Sequence, residues 1–146
     1  MAPEYAKIKG CDLKDHFPAW SWSWSLHINP GTPGETLVKH RWHNGTNAAW
    51  NNALKLGINI VTGHTHGLRA IPVTDMRGRR WGCETGCLSP IGLEAGSKFD
   101  YAEDNPSQSC QGFVILHYDE QYRMLPPELV ETIDQSVYWR GKRTYG

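Results

Sequence analysis

"ETLVKHRWHNGTNAAWNNALKLGINIVTGHTHG", Glu35 to Gly67, is the stretch that decides how this chain folds. Leu37 and Val38 read as a short apolar strand that breaks off at His40. In "NGTNAAWNNALKLG" the Asn and Thr residues offer helix caps, Ala48, Ala49, Ala53, Leu54 and Leu56 recur at helical intervals, and Gly57 supplies a C-terminal stop. "INIVTG" is a second strand. Strand, helix and strand together have the form of a parallel crossover, which needs a dozen or more residues between its strands. Both strand ends then carry histidine: His40 after the first, His64 and His66 after the second.

Neutral imidazole is the commonest side-chain ligand for divalent transition metals and the usual acid or base near neutral pH. In "VTGHTHG" the glycines Gly63 and Gly67 let the backbone turn sharply, so His64 and His66 can each be aimed at one of two neighbouring metals. Across a parallel crossover His40, His64 and His66 are in position to converge at the carboxyl edge of the sheet, the usual site edge in open sheets. These three are the candidate metal ligands, with His43 of "HRWHNG" as an alternative to His40. His16, His27 and His117 lack such a setting and are expected to be structural.

Working outward, the first 34 residues are mostly loop-like, with a turn cluster at "NPGTPG". "WSWSWSLHI" alternates Trp and Ser, which puts Trp20, Trp22 and Trp24 on one face of a strand. No Arg or Lys interleaves them, so a core-facing strand is expected rather than a platform for stacking bases. Beyond Gly67, "LRAIPVTD", "RRWGCETGC", "CQGFVILHYD" and "YRMLPPELV" are separated by turn signals and predict an antiparallel region. "SPIGLEAGSKFDYAEDNPSQ" reads as a long loop.

Composition narrows the function classes. The 146 residues fit one domain, 1–146, and 39% apolar content with seven Trp can fill its core. Fifteen Lys and Arg balance fifteen Asp and Glu, so no overall field draws the chain to nucleic acid or an anionic membrane. "MRGRR" is the one dense basic run and reads as a solvated loop. No apolar stretch reaches the length of a membrane span and the N-terminus lacks the apolar region of a secretory signal, which predicts a cytoplasmic protein. Cys11, Cys83, Cys87 and Cys110 are then expected as reduced thiols, and "CETGC" lacks the second close pair of a strong zinc motif.

"GHTH" after an apolar strand, preceded by the strand-ending His of "LVKH", resembles the last two metal motifs of calcineurin-like metallophosphoesterases. "WGCETGCLSP", "FDYAEDNPSQSCQGFVILHYDE" and "YWRGK" follow in an order similar to the carboxyl-terminal half of bacteriophage-encoded members, so the resemblance covers residues 36–142. It implies an α/β (α+β) fold: a partial metallophosphoesterase-type β-sandwich with flanking helices, the amino-terminal half of the usual domain missing. It also implies hydrolysis of a phosphomonoester or phosphodiester by divalent transition metals, Mn, Fe, Zn or Ni, with His40 and His64 on one ion and His66 on the other.

The family's earlier motifs, Asp-x-His, Gly-Asp and Gly-Asn-His followed by an acid, are absent from this sequence, and Arg41 stands where the family usually has Gly. The resemblance therefore implies a second polypeptide that supplies the missing ligands, or a homo-oligomer. Its alternatives are a degenerate, non-catalytic phage protein acting as a binding or inhibitory module in the host cytoplasm, and a small protein holding one ion unaided. A missing half would leave a strand edge and an apolar face open, with the Trp20, Trp22 and Trp24 stripe as part of that surface.

Overall fold

The computed structural model describes residues 17–88 and 109–145; Cys11, His16 and the loop read over "SPIGLEAGSKFDYAEDNPSQ" lie outside them. In chain order the elements are β1 (Ser25–Ile28), β2 (Thr36–Lys39), α1 (Ala48–Leu56), β3 (Asn59–Thr62), β4 (Leu68–Asp75), β5 (Gly78–Thr85), β6 (Gly112–Ile115), β7 (Glu128–Ile133), β8 (Ser136–Trp139) and β9 (Lys142–Tyr145). They form a five-stranded sheet, β1-β2-β3-β5-β4, and a four-stranded sheet, β6-β7-β8-β9. The protein is thus a mixed α/β fold of two sheets. Among the described residues one helix, rather than several, flanks them.

The crossover forms as its sequence demands. β2 and β3 pair in parallel, with Leu37 opposite Ile60 and Lys39 opposite Thr62. Asn47 takes the N-cap position of α1 without a side-chain cap bond, and the first turn is held instead by the Ala48 N–H donating to the Gly45 carbonyl. Gly57 ends the helix at φ 82, where its N–H reaches the Ala53 carbonyl, a left-handed cap that glycine adopts without steric penalty. The buried face of α1 is Ala48, Ala49, Asn52 and Ala53. Small residues let it lie hard against β5: a Cβ on Gly82 would stand 1.8 Å from the Ala49 carbonyl oxygen.

β3 alternates between two layers, so it must be apolar on both faces. Ile60 joins Leu37, Ala53 and Val73 under the helix. Val61 joins Trp81 and Cys83, with Val114, Leu116 and Met124 from the β6 side packed against them. Burial of each Ile, Val or Leu here is worth roughly 1.5–3 kcal/mol.

The amino-terminal expectation needs correction. β1 begins at Ser25, opposite Lys39, and runs antiparallel to β2 as far as Ile28 opposite Thr36. Because β2 stops at Lys39, residues 20–24 have no backbone to pair with, and the Trp-Ser alternation stays outside the sheet. Trp20 and Trp24 are 66% and 87% exposed, and Phe17, Trp20 and Trp22 cluster with one another instead of with the core. β1 covers one edge of β2 and becomes the sheet edge itself.

"MRGRR" is also more than a solvated loop. Arg80 is 4% exposed and donates to the Ala53 carbonyl and to both Asp75 carboxylate oxygens. Arg77 pairs with the same carboxylate, and Arg79 lies over the Trp81 ring. These cations hold a hairpin.

Candidate functional site

The ends of β2 and β3 are locked together before any side chain is considered. The N–H groups of Gly63 and His64 both donate to the His40 carbonyl, at 3.2 and 3.0 Å. Farther along the loop the Gly86 N–H reaches the Gly67 carbonyl and the Cys110 N–H reaches the His66 carbonyl. His66 itself sits at φ 58, a left-handed conformation that costs a non-glycine residue about 1–2 kcal/mol.

This backbone brings two imidazoles face to edge. His64 Nδ1 lies 3.3 Å from His40 Nε2, with ring centroids 5.2 Å apart and planes at 79°. His40 is therefore the residue whose ring meets His64. The His43 ring lies against Trp42, and its backbone is tied in both directions to the Asn52 side chain of α1. His66 lies near enough to lower the pKa of His64, and among the described residues no three His, Cys, Asp or Glu side chains gather as a metal cage. His27 and His117 stand elsewhere, each beside a carboxylate, Glu35 and Glu128.

The pair can be tested as a chelate. With metal–nitrogen bonds of about 2.0–2.1 Å, two ligands of a tetrahedral ion stand about 3.3–3.4 Å apart. The observed 3.3 Å matches that edge. Loss of surrounding water, then the charge of Arg41, then His40 and His66, hold the His64 pKa below its ordinary value, so the ring stays neutral, the form that binds metal. Two imidazole nitrogens at this separation fit two vertices of one ion. Without a bridging carboxylate they do not fit a two-metal centre.

A cavity of about 350 Å³ opens beside His64, lined by Asn44, Gly45, Thr46, Arg69 and Glu84 among others. Glu84 and Arg69 were not foreseen as site residues. Glu84 is 1% exposed, accepts a hydrogen bond from Thr65 Oγ1, and has its other oxygen 3.6 Å from Arg69 Nη1. Their meeting depends on the β4–β5 register, which sets Arg69 opposite Glu84.

No family model matches the sequence, and no curated protein matches it. Among solved structures, a single-mutant Vps29 from Entamoeba histolytica, of the calcineurin-like metallophosphoesterase fold, is similar at a TM-score of 0.47 and 14% identity. The match covers 86% of this chain, which spans 62% of that one.

Proposed function

We propose that this chain is a metallophosphoesterase-type domain that holds one divalent transition metal through His40 and His64, and that a second polypeptide completes the site for phosphate-ester hydrolysis. The observation that carries the reading is the 3.3 Å separation of two imidazole nitrogens at the carboxyl ends of adjacent parallel strands. An ion bound there supplies a Lewis acid for a phosphoryl oxygen and a water of lowered pKa. This chain's part is to hold the ion by neutral nitrogens and to aim the cavity beside His64 at it. Hydrolysis by two ions needs bridging acids that His40, His64 and His66 do not provide.

Calorimetric titration with Zn, Mn and Ni tests the reading. The wild-type chain is expected to bind at most one ion, with binding lost in His64→Ala and kept in His16→Ala. The isolated chain is expected to show little or no metal-dependent turnover of p-nitrophenyl phosphate esters, and to gain it with a polypeptide that carries the absent Asp and Asn motifs. Identical titrations of wild type and His64→Ala sink the site.

A second reading, a non-catalytic binding module, draws on β1. With the β2 edge covered by the chain's own residues, a strand added on that side of the sheet must pair with β1 or displace it. Metal binding with no gain of turnover from any complementing half selects that reading.

A further inference from the structure

Glu84 buries a carboxylate oxygen without a hydrogen bond among the described residues. It projects from β5 into a nearly sealed position, where an unpaired carboxylate costs several kcal/mol. Yet among the described residues Oε2 accepts no hydrogen bond and has the Arg69 guanidinium at 3.6 Å, while Oε1 is held by Thr65. Contrast Arg80 on the same strand, whose guanidinium donates to a carbonyl and to both oxygens of one carboxylate. A buried carboxyl with so few partners is poor material for stability alone.

Its hydrogen bond among the described residues falls on the residue between the two loop histidines. We propose that Glu84, acting through Thr65, is a positioning residue for His64: the buried carboxylate holds the Thr65 hydroxyl and so fixes the peptide after His64, keeping Nδ1 turned to His40. Backbone bonds to the His40 carbonyl secure the start of the loop at Gly63 and His64. The left-handed turn at His66 lies beyond them, and the Thr65 tether restrains the segment between. Arg69 extends the device, because Nη1 also donates to the Thr46 carbonyl ahead of α1. Thr46, Thr65, Arg69 and Glu84 thereby link two connections, β2–α1 and β3–β4, to the β4–β5 pair around the cavity beside His64.

The inference deepens the metal-site reading and rests on it for its effect on affinity, but its geometry can be read without metal. Thr65→Val removes the hydroxyl at nearly constant shape, and Thr65→Ser restores it. Zinc calorimetry is expected to show Thr65→Val weaker by about ten- to hundredfold, the range for losing a group that orients a ligating imidazole. The nuclear Overhauser cross-peak between the His40 and His64 rings is expected to weaken with it. Thr65→Ser retains both signals. So does Asp75→Asn, which destabilises the far end of the same strands. Should Thr65→Val fail to fold, Glu84→Gln is read in the same two ways, with an intermediate loss expected. Wild-type affinity together with a wild-type cross-peak in Thr65→Val overturns the inference. If the wild-type chain binds no zinc, the metal reading fails, and the cross-peak alone decides whether Thr65 positions His64.

Discussion

β4 and β5 share two ends that solve the burial of charge in opposite ways. At the hairpin end, Arg80 is enclosed by Asp75 and the Ala53 carbonyl, and Arg77 adds a second cation to the same carboxylate. Asp75 is accordingly held far below the usual carboxylate range, first by its hydrogen bonds to Arg80 and then by those to Arg77. At the other end, Glu84 keeps one oxygen without a hydrogen bond, next to a strained turn and a bare pair of imidazoles. Satisfied polar networks stabilise a fold, whereas incompletely satisfied ones gather where a ligand is to be held. On that difference rests the proposal that the hairpin end is structural and the histidine end functional.

The largest expected effect lies at the histidine end. His64→Ala should lower zinc affinity by at least about a hundredfold, beyond the loss of an outer-shell partner, with little change in the urea midpoint. Equal affinity in the two proteins would erase the distinction between the ends. Next comes the hairpin end, where Arg80→Ala leaves Asp75 and the Ala53 carbonyl without their donor. Urea denaturation should show a loss of about 2–3 kcal/mol, below the full cost of breaking a buried pair because Asp75 keeps contact with solvent. Zinc affinity should be unchanged. A fall in affinity as large as that of His64→Ala would show that the two ends are coupled.

A smaller effect belongs to the second sheet, whose carboxylate is well partnered. Glu128 accepts hydrogen bonds from Arg140 and Trp139, which lower its pKa from 4.5 to about 2. A depressed carboxylate contributes stability that is complete above its unfolded pKa and is lost as pH falls through the folded one. The contribution is therefore present above pH 4.5 and disappears toward pH 2. Glu128→Gln should lower the urea midpoint above pH 4.5 and converge on wild type toward pH 2, so that the acid slope flattens. The smallest effect sharpens the histidine end: Arg41→Gln removes a charge that disfavours imidazolium, so the His64 pKa should rise in an NMR titration. It should remain below that of an exposed histidine, because loss of water is the leading cause.

The parts of this contrast differed in how well they could be read from sequence. β2, α1, β3 and the β4–β5 hairpin were legible because helical spacing, the stop at Gly57 and the turn at Met76–Gly78 act locally. His40 and His64 were legible because strand ends in a parallel crossover share an edge. The β8–β9 hairpin was not read, because Arg140–Gly141 is a weaker turn cue than Asn-Gly, and Asp134–Gln135 before it turns at positive φ without glycine. The Trp-Ser alternation misled because a period of two specifies a strand only where a partner exists, and β2 ends one residue before His40. Glu84 and Arg69 carried no signal, since their pairing is a matter of register across two strands. The left-handed backbone of His66, at φ 58, is not encoded by "GHTH" alone.

X-ray absorption at the zinc edge of the loaded chain tests the assignment of the histidine end most directly. The account predicts a shell of nitrogen and oxygen only, with the multiple-scattering signature of two imidazoles in the wild-type chain and of one in His40→Ala. Sulfur scattering at about 2.3 Å, unchanged in His40→Ala, would place the ion on cysteine and contradict it.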